Sequence, residues 1–207
     1  MGLEIERKFL VPGAFPQGSM QHIIKQGYVN PKLGSVGLDG GFLVFFNRAN
    51  KELYRVNVGA DAAGILKDIS NANGKLLLDD KNVVRIRIRD NESFITIKGK
   101  ISSAGTPEYE YMIPSNVANM LMDNLVDSYL SKVRHIIPQG DKKWEVDEFI
   151  SPIQLVLAEI ELSSPGEEVE IPAWVGKEVT GDRRYFNSEI IKMKQSSSDF
   201  VQQFMGL

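Results

Sequence analysis

Glu4-Ile5-Glu6-Arg7-Lys8-Phe9 lies within the opening stretch Gly2 to Val11. Read at the two-residue period of an extended chain, Glu4, Glu6 and Lys8 share one face, and Leu3, Ile5 and Phe9 the other. A half-exposed surface strand alternates in the same way. Recurrence is what gives the pattern weight. Val83-Val84-Arg85-Ile86-Arg87-Ile88-Arg89 sets arginines against Val84, Ile86 and Ile88. Glu108-Tyr109-Glu110-Tyr111, Lys132-Val133-Arg134, Trp144-Glu145-Val146-Asp147-Glu148-Phe149 and Leu155 to Leu162, with Glu159 and Glu161, repeat it.

The charges also segregate by sign. Glu4, Glu6, Glu108, Glu110, Glu145, Asp147, Glu159 and Glu161 form an acidic set. Lys8, Lys25, Arg85, Arg87, Arg89, Lys98, Lys132 and Arg134 form a basic one. A solvated face would mix signs within each strand, and apart from Lys8 these do not mix. The opposite faces carry Ile, Val, Leu, Tyr and Trp suited to packing under helices.

A chain of 207 residues is long enough for one full core, so a single domain spanning 1–207 is expected. The formal charge of -3 argues against a general nucleic-acid binder or a ligand of anionic membranes. No cysteine is present, which removes disulfides, thiolate metal sites and cysteine nucleophiles. No secretory signal or membrane-length apolar run is visible, so a cytoplasmic protein is expected.

Along the chain, breakers at Pro12, Gly13, Pro16 and Gly18 end the first strand. A helical turn is expected over Met20 to Ile24 and a strand over Lys25 to Val29. From Lys32 to Asn82 the texture changes. Glycines at 34, 37, 40 and 41 precede expected strands at Phe42 to Phe46, Glu52 to Val58, Gly64 to Ile69 and Lys75 to Leu78. This reads as an inserted β-rich module at about 32–82. Phe94 to Lys98 pairs back on Val83 to Arg89 across the turn Asp90-Asn91. Pro114-Ser115 starts the one clear helix, capped by Ser115, with Val117, Met120, Leu121, Leu125 and Val126 at helical spacing. Glu167-Glu168-Val169-Glu170 reads as a solvated loop, Asn187 to Lys194 as a short helix and Gln195 to Leu207 as a serine-rich tail. His22 and His135 lack ligand spacing, and Trp144 and Trp174 read as packing anchors.

If such a sheet closes into a barrel, the charged faces line its interior, where they must pair, stay hydrated or hold a charged ligand. Converging arginines and lysines suit a polyanion rich in oxygens. Carboxylates beside them would repel that anion unless they hold divalent cations, and hard oxygen ligands suit Mg²⁺ or Mn²⁺. No glycine-rich phosphate loop of the P-loop type is present, so side chains must hold the phosphates. The residues point to a metal-dependent site for a phosphate chain.

Glu4-Ile5-Glu6-Arg7-Lys8 resembles the E-x-E-x-K signature of the CYTH, or triphosphate tunnel metalloenzyme, family. It is joined in family order by Gln26-Gly27-Tyr28, Arg85-Ile86-Arg87 with Thr96-Ile97-Lys98-Gly99, Glu108-Tyr109-Glu110-Tyr111, Trp144 to Phe149, Ala158-Glu159-Ile160-Glu161 and Gly176-Lys177-Glu178-Val179-Thr180-Gly181-Asp182. The resemblance covers roughly residues 1–30 and 83–190 and gives residues 32–82 no role. It implies an α+β, mainly antiparallel fold: an eight-stranded closed barrel with flanking helices, binding triphosphate with Mg²⁺ or Mn²⁺. Carried over by position, Glu4, Glu6 and Glu161 look like metal ligands. Lys8, Lys25, Arg85, Arg87, Lys98, Lys132 and Arg134 look like phosphate clamps. Glu108, Glu145 and Asp147 look like supporting acidic groups, and Lys8, Glu159 and Glu110 like catalytic ones. The implied activity is hydrolysis of inorganic triphosphate. The alternatives are a class IV adenylate cyclase making cyclic AMP from ATP, a thiamine triphosphatase, and a non-catalytic polyphosphate-binding module. The expected partner is a triphosphate or nucleoside triphosphate, with no nucleic acid and no membrane, and a homodimer stays open.

Overall fold

A computed structural model of the chain describes residues 5–18, 20–79, 82–99, 108–164 and 166–193. Glu4 and the tail from Gln195 lie outside the described residues. In chain order the elements are β1 (Ile5–Leu10), β2 (Met20–Tyr28), β3 (Gly34–Asp39), β4 (Phe42–Asn47), β5 (Glu52–Asn57), α1 (Gly59–Leu66), β6 (Val83–Arg89), β7 (Glu92–Lys98), β8 (Glu108–Ile113), α2 (Ser115–Leu125), β9 (Tyr129–Gln139), β10 (Lys142–Ser151), β11 (Leu155–Leu162) and α3 (Asn187–Ile190). The fold is mainly antiparallel β with few helices. No described helix is long and apolar enough to cross a membrane. One sheet has the hydrogen-bonded order β1-β11-β10-β9-β2-β6-β7-β8, and β3-β4-β5 form another. The chain divides into two compact units, one built on Lys25–Tyr129 and one joining Glu4–Ile24 to Leu130–Leu207.

In the first unit the apolar faces of β6 and β7, with Val84, Ile86, Ile95 and Ile97 fully buried, meet Ala118, Leu121, Met122 and Leu125 of α2. Val36, Leu43, Phe45, Leu66, Ile69 and Leu76 belong to the same cluster, so residues 32–82 share this core. Burying aromatic and aliphatic side chains of this size stabilises by about 1.5–3 kcal/mol each. Several local expectations are corrected here. Gly64 to Ile69, expected as a strand, belongs to α1 and a 3-10 turn at Lys67–Ile69. Ala62, Ala63, Leu66 and Ile69 are the buried members, and that three- and four-residue spacing is helical. Lys75 to Leu78 makes only the single bridges Gly37↔Lys75 and Ser70↔Leu76 among the described residues. The glycine-rich stretch ahead of Phe42 is itself β3. Gly34 is needed there for close approach, since a Cβ would lie 2.2 Å from the Phe46 carbonyl oxygen. In α2 the cap position is Pro114, without a side-chain bond. Ser115 instead donates from Oγ to the Asn91 carbonyl (3.3 Å) and accepts from Ser93 Oγ (3.1 Å).

The second unit holds β1, β11, β10 and β9 as an antiparallel run. Behind their charged face lies a core of Phe9, Val11, Trp144, Val146, Ala158 and Ile160. Trp144 meets Phe9 and Trp174 edge-on, at 5.5 and 5.6 Å between ring centroids. Met20 to Ile24, expected as a helical turn, is the first half of strand β2. The acidic loop is not purely solvated, because Glu167 pairs with Lys142 at 2.7 Å. The helix expected over Asn187 to Lys194 ends at Ile190.

The expected ring closure is not found. β1 and β8 stand at the ends of the strand order, and no ladder joins them among the described residues. The reason lies on β1 itself. One edge pairs with β11, and the other is bonded to residues 176–180: Gly176 N to Leu10 O, Leu10 N to Lys177 O, Val179 N to Lys8 O, and Lys8 N to Thr180 Oγ1, at 2.8–2.9 Å. Arg7 secures this strap through a two-pronged contact with Glu178, at 3.1 and 2.7 Å.

Candidate active site

Strand register assembles the charged face of the second unit. Lys8 on β1 stands opposite Glu159 on β11, and Glu6 opposite Glu161. Glu145 on β10 stands opposite Glu159, and Asp147 opposite Arg134 on β9. Lys8 Nζ pairs with Glu159 at 2.9 Å and Glu6 at 3.5 Å. Arg134 is the hub. Its Nε and Nη2 donate to the two oxygens of Asp147, each at 2.7 Å, its Nη2 also reaches Glu159 at 3.2 Å, and its Nη1 donates to Glu145. Lys132 Nζ donates to Asp147 at 2.5 Å.

These contacts set the charge states. Burial opposes ionisation of Asp147, but Lys132 and Arg134 outweigh it and hold its pKa at about 2. Glu145 is likewise held below the usual carboxylate range by Arg134 and Lys143 against the opposing effect of burial. Lys8 is partly desolvated, yet Glu159 and Glu6 raise its pKa. Burial dominates for Lys132 and lowers its pKa against the pull of Asp147. Asp147 and Glu145 are therefore carboxylates, and Lys8 a cation, near neutral pH.

Directly opposed like charges destabilise a strand pair. Of the two carboxylate pairs here, Glu145 and Glu159 share Arg134. Glu6 reaches Lys8 at 3.5 Å, and the exposed Glu161 carboxylate has no ion pair among the described residues. Two adjacent, solvent-reachable carboxylates suit a hard divalent cation that keeps several waters. No group of three or more His, Cys, Asp or Glu that could hold a metal is found among the described residues, and Glu4, the third expected ligand, lies outside them.

The first unit carries its own charged face. Arg85 Nη2 donates to Thr96 Oγ1 and Glu108 Oε1, both at 3.0 Å. Arg87 Nη2 donates to Glu110 at 2.7 Å, and Thr96 Oγ1 donates to the same oxygen at 2.9 Å. Lys98 pairs with Glu108 at 2.7 Å. Burial opposes ionisation of Glu108, but Lys98 and Arg85 hold its pKa low. The expected residues Arg85, Arg87, Lys98, Glu108 and Glu110 are thus brought together. Lys25 instead stacks its ammonium over Tyr129, 4.2 Å from the ring centroid. Arg89 pairs with Glu92 at the turn.

Sequence reasoning missed two groups beside the second unit's face. Phe186 stands over the Lys8 ammonium at 5.5 Å, and Asn187 Oδ1 lies 3.5 Å from Lys132 Nζ. Nothing in the local pattern of Arg183 to Ile190 marks them, because their role depends on where a short helix is placed. His135 is buried, edge-on to Phe15 at 5.0 Å, a packing position.

No protein-family model matches the chain. It is 36% identical over 138 residues to an inorganic triphosphatase of Acetivibrio thermocellus, a match spanning 65% of this chain and 88% of that protein. It is 26% identical over 193 residues to an inorganic triphosphatase of Nitrosomonas europaea, spanning 90% of this chain and 95% of the relative. The crystal structure of the inorganic triphosphatase NE1496 superimposes with a TM-score of 0.53 at 26% identity, covering 94% of this chain and 98% of that one. With the E-x-E-x-K strand, the arginine hub and paired carboxylates in register, and a relative matched over most of its length, the chain belongs to the CYTH, or triphosphate tunnel metalloenzyme, family.

Proposed function

We propose that this chain is an inorganic triphosphatase, hydrolysing triphosphate to diphosphate and phosphate with a divalent cation, Mg²⁺ or Mn²⁺. The observation that carries this reading is the second unit's face. Cations Lys8 and Arg134 are held by Glu159, and the opposed carboxylates Glu6 and Glu161 lie on the neighbouring register positions. The two matched relatives, both inorganic triphosphatases, support it.

Glu6 and Glu161, with Glu4, would hold the cation, which when bound offsets phosphate charge and polarises the transferring phosphoryl group. Lys8 and Arg134 grip non-bridging oxygens, Arg134 in the two-pronged fashion that guanidinium allows. Charge spreads over these oxygens as water attacks the terminal phosphorus and the bridging P–O bond breaks, so pre-placed cations stabilise the transition state. Glu159 accepts from both clamps in the resting protein. Once phosphate oxygens take over those donors, its carboxylate is released to accept the proton of the attacking water. On the first unit's own face, Arg85, Arg87 and Lys98 are cations suited to phosphate oxygens and are oriented by Glu108 and Glu110; on the second, Glu145 orients Arg134.

The test is phosphate release from inorganic triphosphate, ATP and thiamine triphosphate with Mg²⁺ or Mn²⁺, and again with excess chelator. Rapid release from inorganic triphosphate that stops on chelation is expected. Cyclic AMP formation from ATP would replace this reading with the cyclase, and release from none of the substrates would replace it with a binding module.

A further inference from the structure

Lys132 and Asp147 are set apart from the rest of the second unit's face by depth. Their side chains are 2% and 1% exposed, against 8% for Lys8 and 18% for Arg134. A phosphate oxygen cannot meet the Lys132 ammonium without displacing what already surrounds it: Asp147 Oδ2 at 2.5 Å, Asn187 Oδ1 at 3.5 Å and the Phe149 ring at 5.2 Å. Asp147 takes the Nε and Nη2 edge of Arg134, which leaves Nη1 and the second Nη2 hydrogen toward Glu145 and Glu159 on the accessible side. A guanidinium gripped by one buried carboxylate alone would be neutralised as an anion clamp. Glu145 is also paired with Lys143 and Glu159 with Lys8, so with Lys132 cancelling Asp147 one positive charge is left over, and it resides on Arg134, which solvent reaches.

We infer that Lys132 and Asp147 are positioning residues for phosphate binding. Asp147 fixes which edge of Arg134 faces the substrate, and Lys132 cancels the charge of Asp147 so that Arg134 remains a net cation. Neither touches the phosphate chain. This rests on the triphosphatase reading and assigns a different task to a lysine that by strand position alone looks like a clamp.

The experiment compares wild type, Lys132→Met and the double variant Lys132→Met/Asp147→Asn, measuring KM and kcat for inorganic triphosphate with Mg²⁺ together with the thermal midpoint. Lys132→Met should raise KM at least about tenfold, equivalent to ~1.4 kcal/mol. The double variant restores the charge balance, while the asparagine leaves Arg134 one acceptor instead of two, so KM should fall at least about threefold below that of Lys132→Met, or ~0.7 kcal/mol. If Lys132 contacts the substrate directly, the second change rescues nothing, and a double variant as impaired as the single one overturns the inference. Lys132→Met leaves a buried carboxylate with less compensation. If it fails to fold, the double variant decides alone: KM less than about tenfold above wild type supports the inference, and a larger rise refutes it. Absence of triphosphate turnover in wild type removes the functional reading itself, and this inference with it.

Discussion

Replacing Arg134 by lysine keeps the charge and removes the fork, which makes it the sharpest probe of the second unit's face. In the structure Asp147 Oδ1 receives Arg134 Nε, while Oδ2 receives both Arg134 Nη2 and Lys132 Nζ. Glu145 keeps Lys143 as a partner, and Glu159 keeps Lys8. One ammonium cannot replace donors on both sides of the plane, so the group left short is the buried Oδ1. An unsatisfied buried acceptor costs about 1–3 kcal/mol. For a chain of this length each kcal/mol lowers the thermal midpoint by about 2–4 °C, so Arg134→Lys should melt ~4–8 °C below wild type for a loss near ~2 kcal/mol. Losing two parallel contacts to phosphate should also raise KM for triphosphate by at least about tenfold, or ~1.4 kcal/mol. Differential scanning calorimetry and steady-state phosphate release read the two effects on one sample. A midpoint within about 1 °C of wild type would refute the claim that Asp147 depends on the guanidinium fork, for that is below what one lost buried hydrogen bond costs.

Glu6→Gln should cut metal-dependent turnover by at least about a hundredfold, as expected when a cation ligand is lost. It should leave the thermal midpoint almost unchanged, since Glu6 is the more exposed end of a 3.5 Å pair and the buried Lys8 keeps Glu159 at 2.9 Å, and undiminished turnover would remove Glu6 from the cation site. Acid unfolding should report Asp147. Its pKa is lowered from 3.8 to about 2, so its stabilisation is complete above pH 3.8, is lost as pH falls through about 2, and amounts to ~2 kcal/mol. Urea midpoints should accordingly drop more steeply between those values for wild type than for Asp147→Asn, and equal slopes would contradict the assignment. Gly34→Ala places a Cβ 2.2 Å from the Phe46 carbonyl oxygen and 2.3 Å from Leu125 Cδ2. It should destabilise by about 1–3 kcal/mol in a urea titration, and wild-type stability would show that β3 shifts freely.

The charged faces were legible because alternation is a one-dimensional property: Glu6, Lys8, Arg85, Arg87, Glu145 and Glu159 all lie on the strands and sides that their spacing predicts. Depth was not legible. Lys132 and Glu161 both read as face residues, yet one is fully buried and the other exposed, because depth depends on what α3 and its flanking residues lay against the sheet. In residues 32–82 the failures were of propensity. The run Ala62-Ala63-Gly64-Ile65-Leu66 is too short for periodicity to separate helix from strand. The glycines of β3 read as loop signals although close approach to β4 is what requires Gly34. Ring closure failed for another reason: the residues that occupy the outer edge of β1, 176–180, carry almost no strand pattern of their own and make one isolated bridge among the described residues.

That edge has a consequence for biogenesis. The strand bearing Glu6 and Lys8 is synthesised well before the backbone that completes its hydrogen bonding, as the Arg7–Glu178 separation of 171 positions illustrates. Contacts so distant in sequence close slowly. On the ribosome, β1 waits with unpaired N–H and C=O groups until residues 176–180 have emerged, and such a strand is a template for pairing with a neighbouring nascent chain. A chain truncated before Gly176 retains every charged strand described above and lacks the closing seam, so it should accumulate in the insoluble fraction.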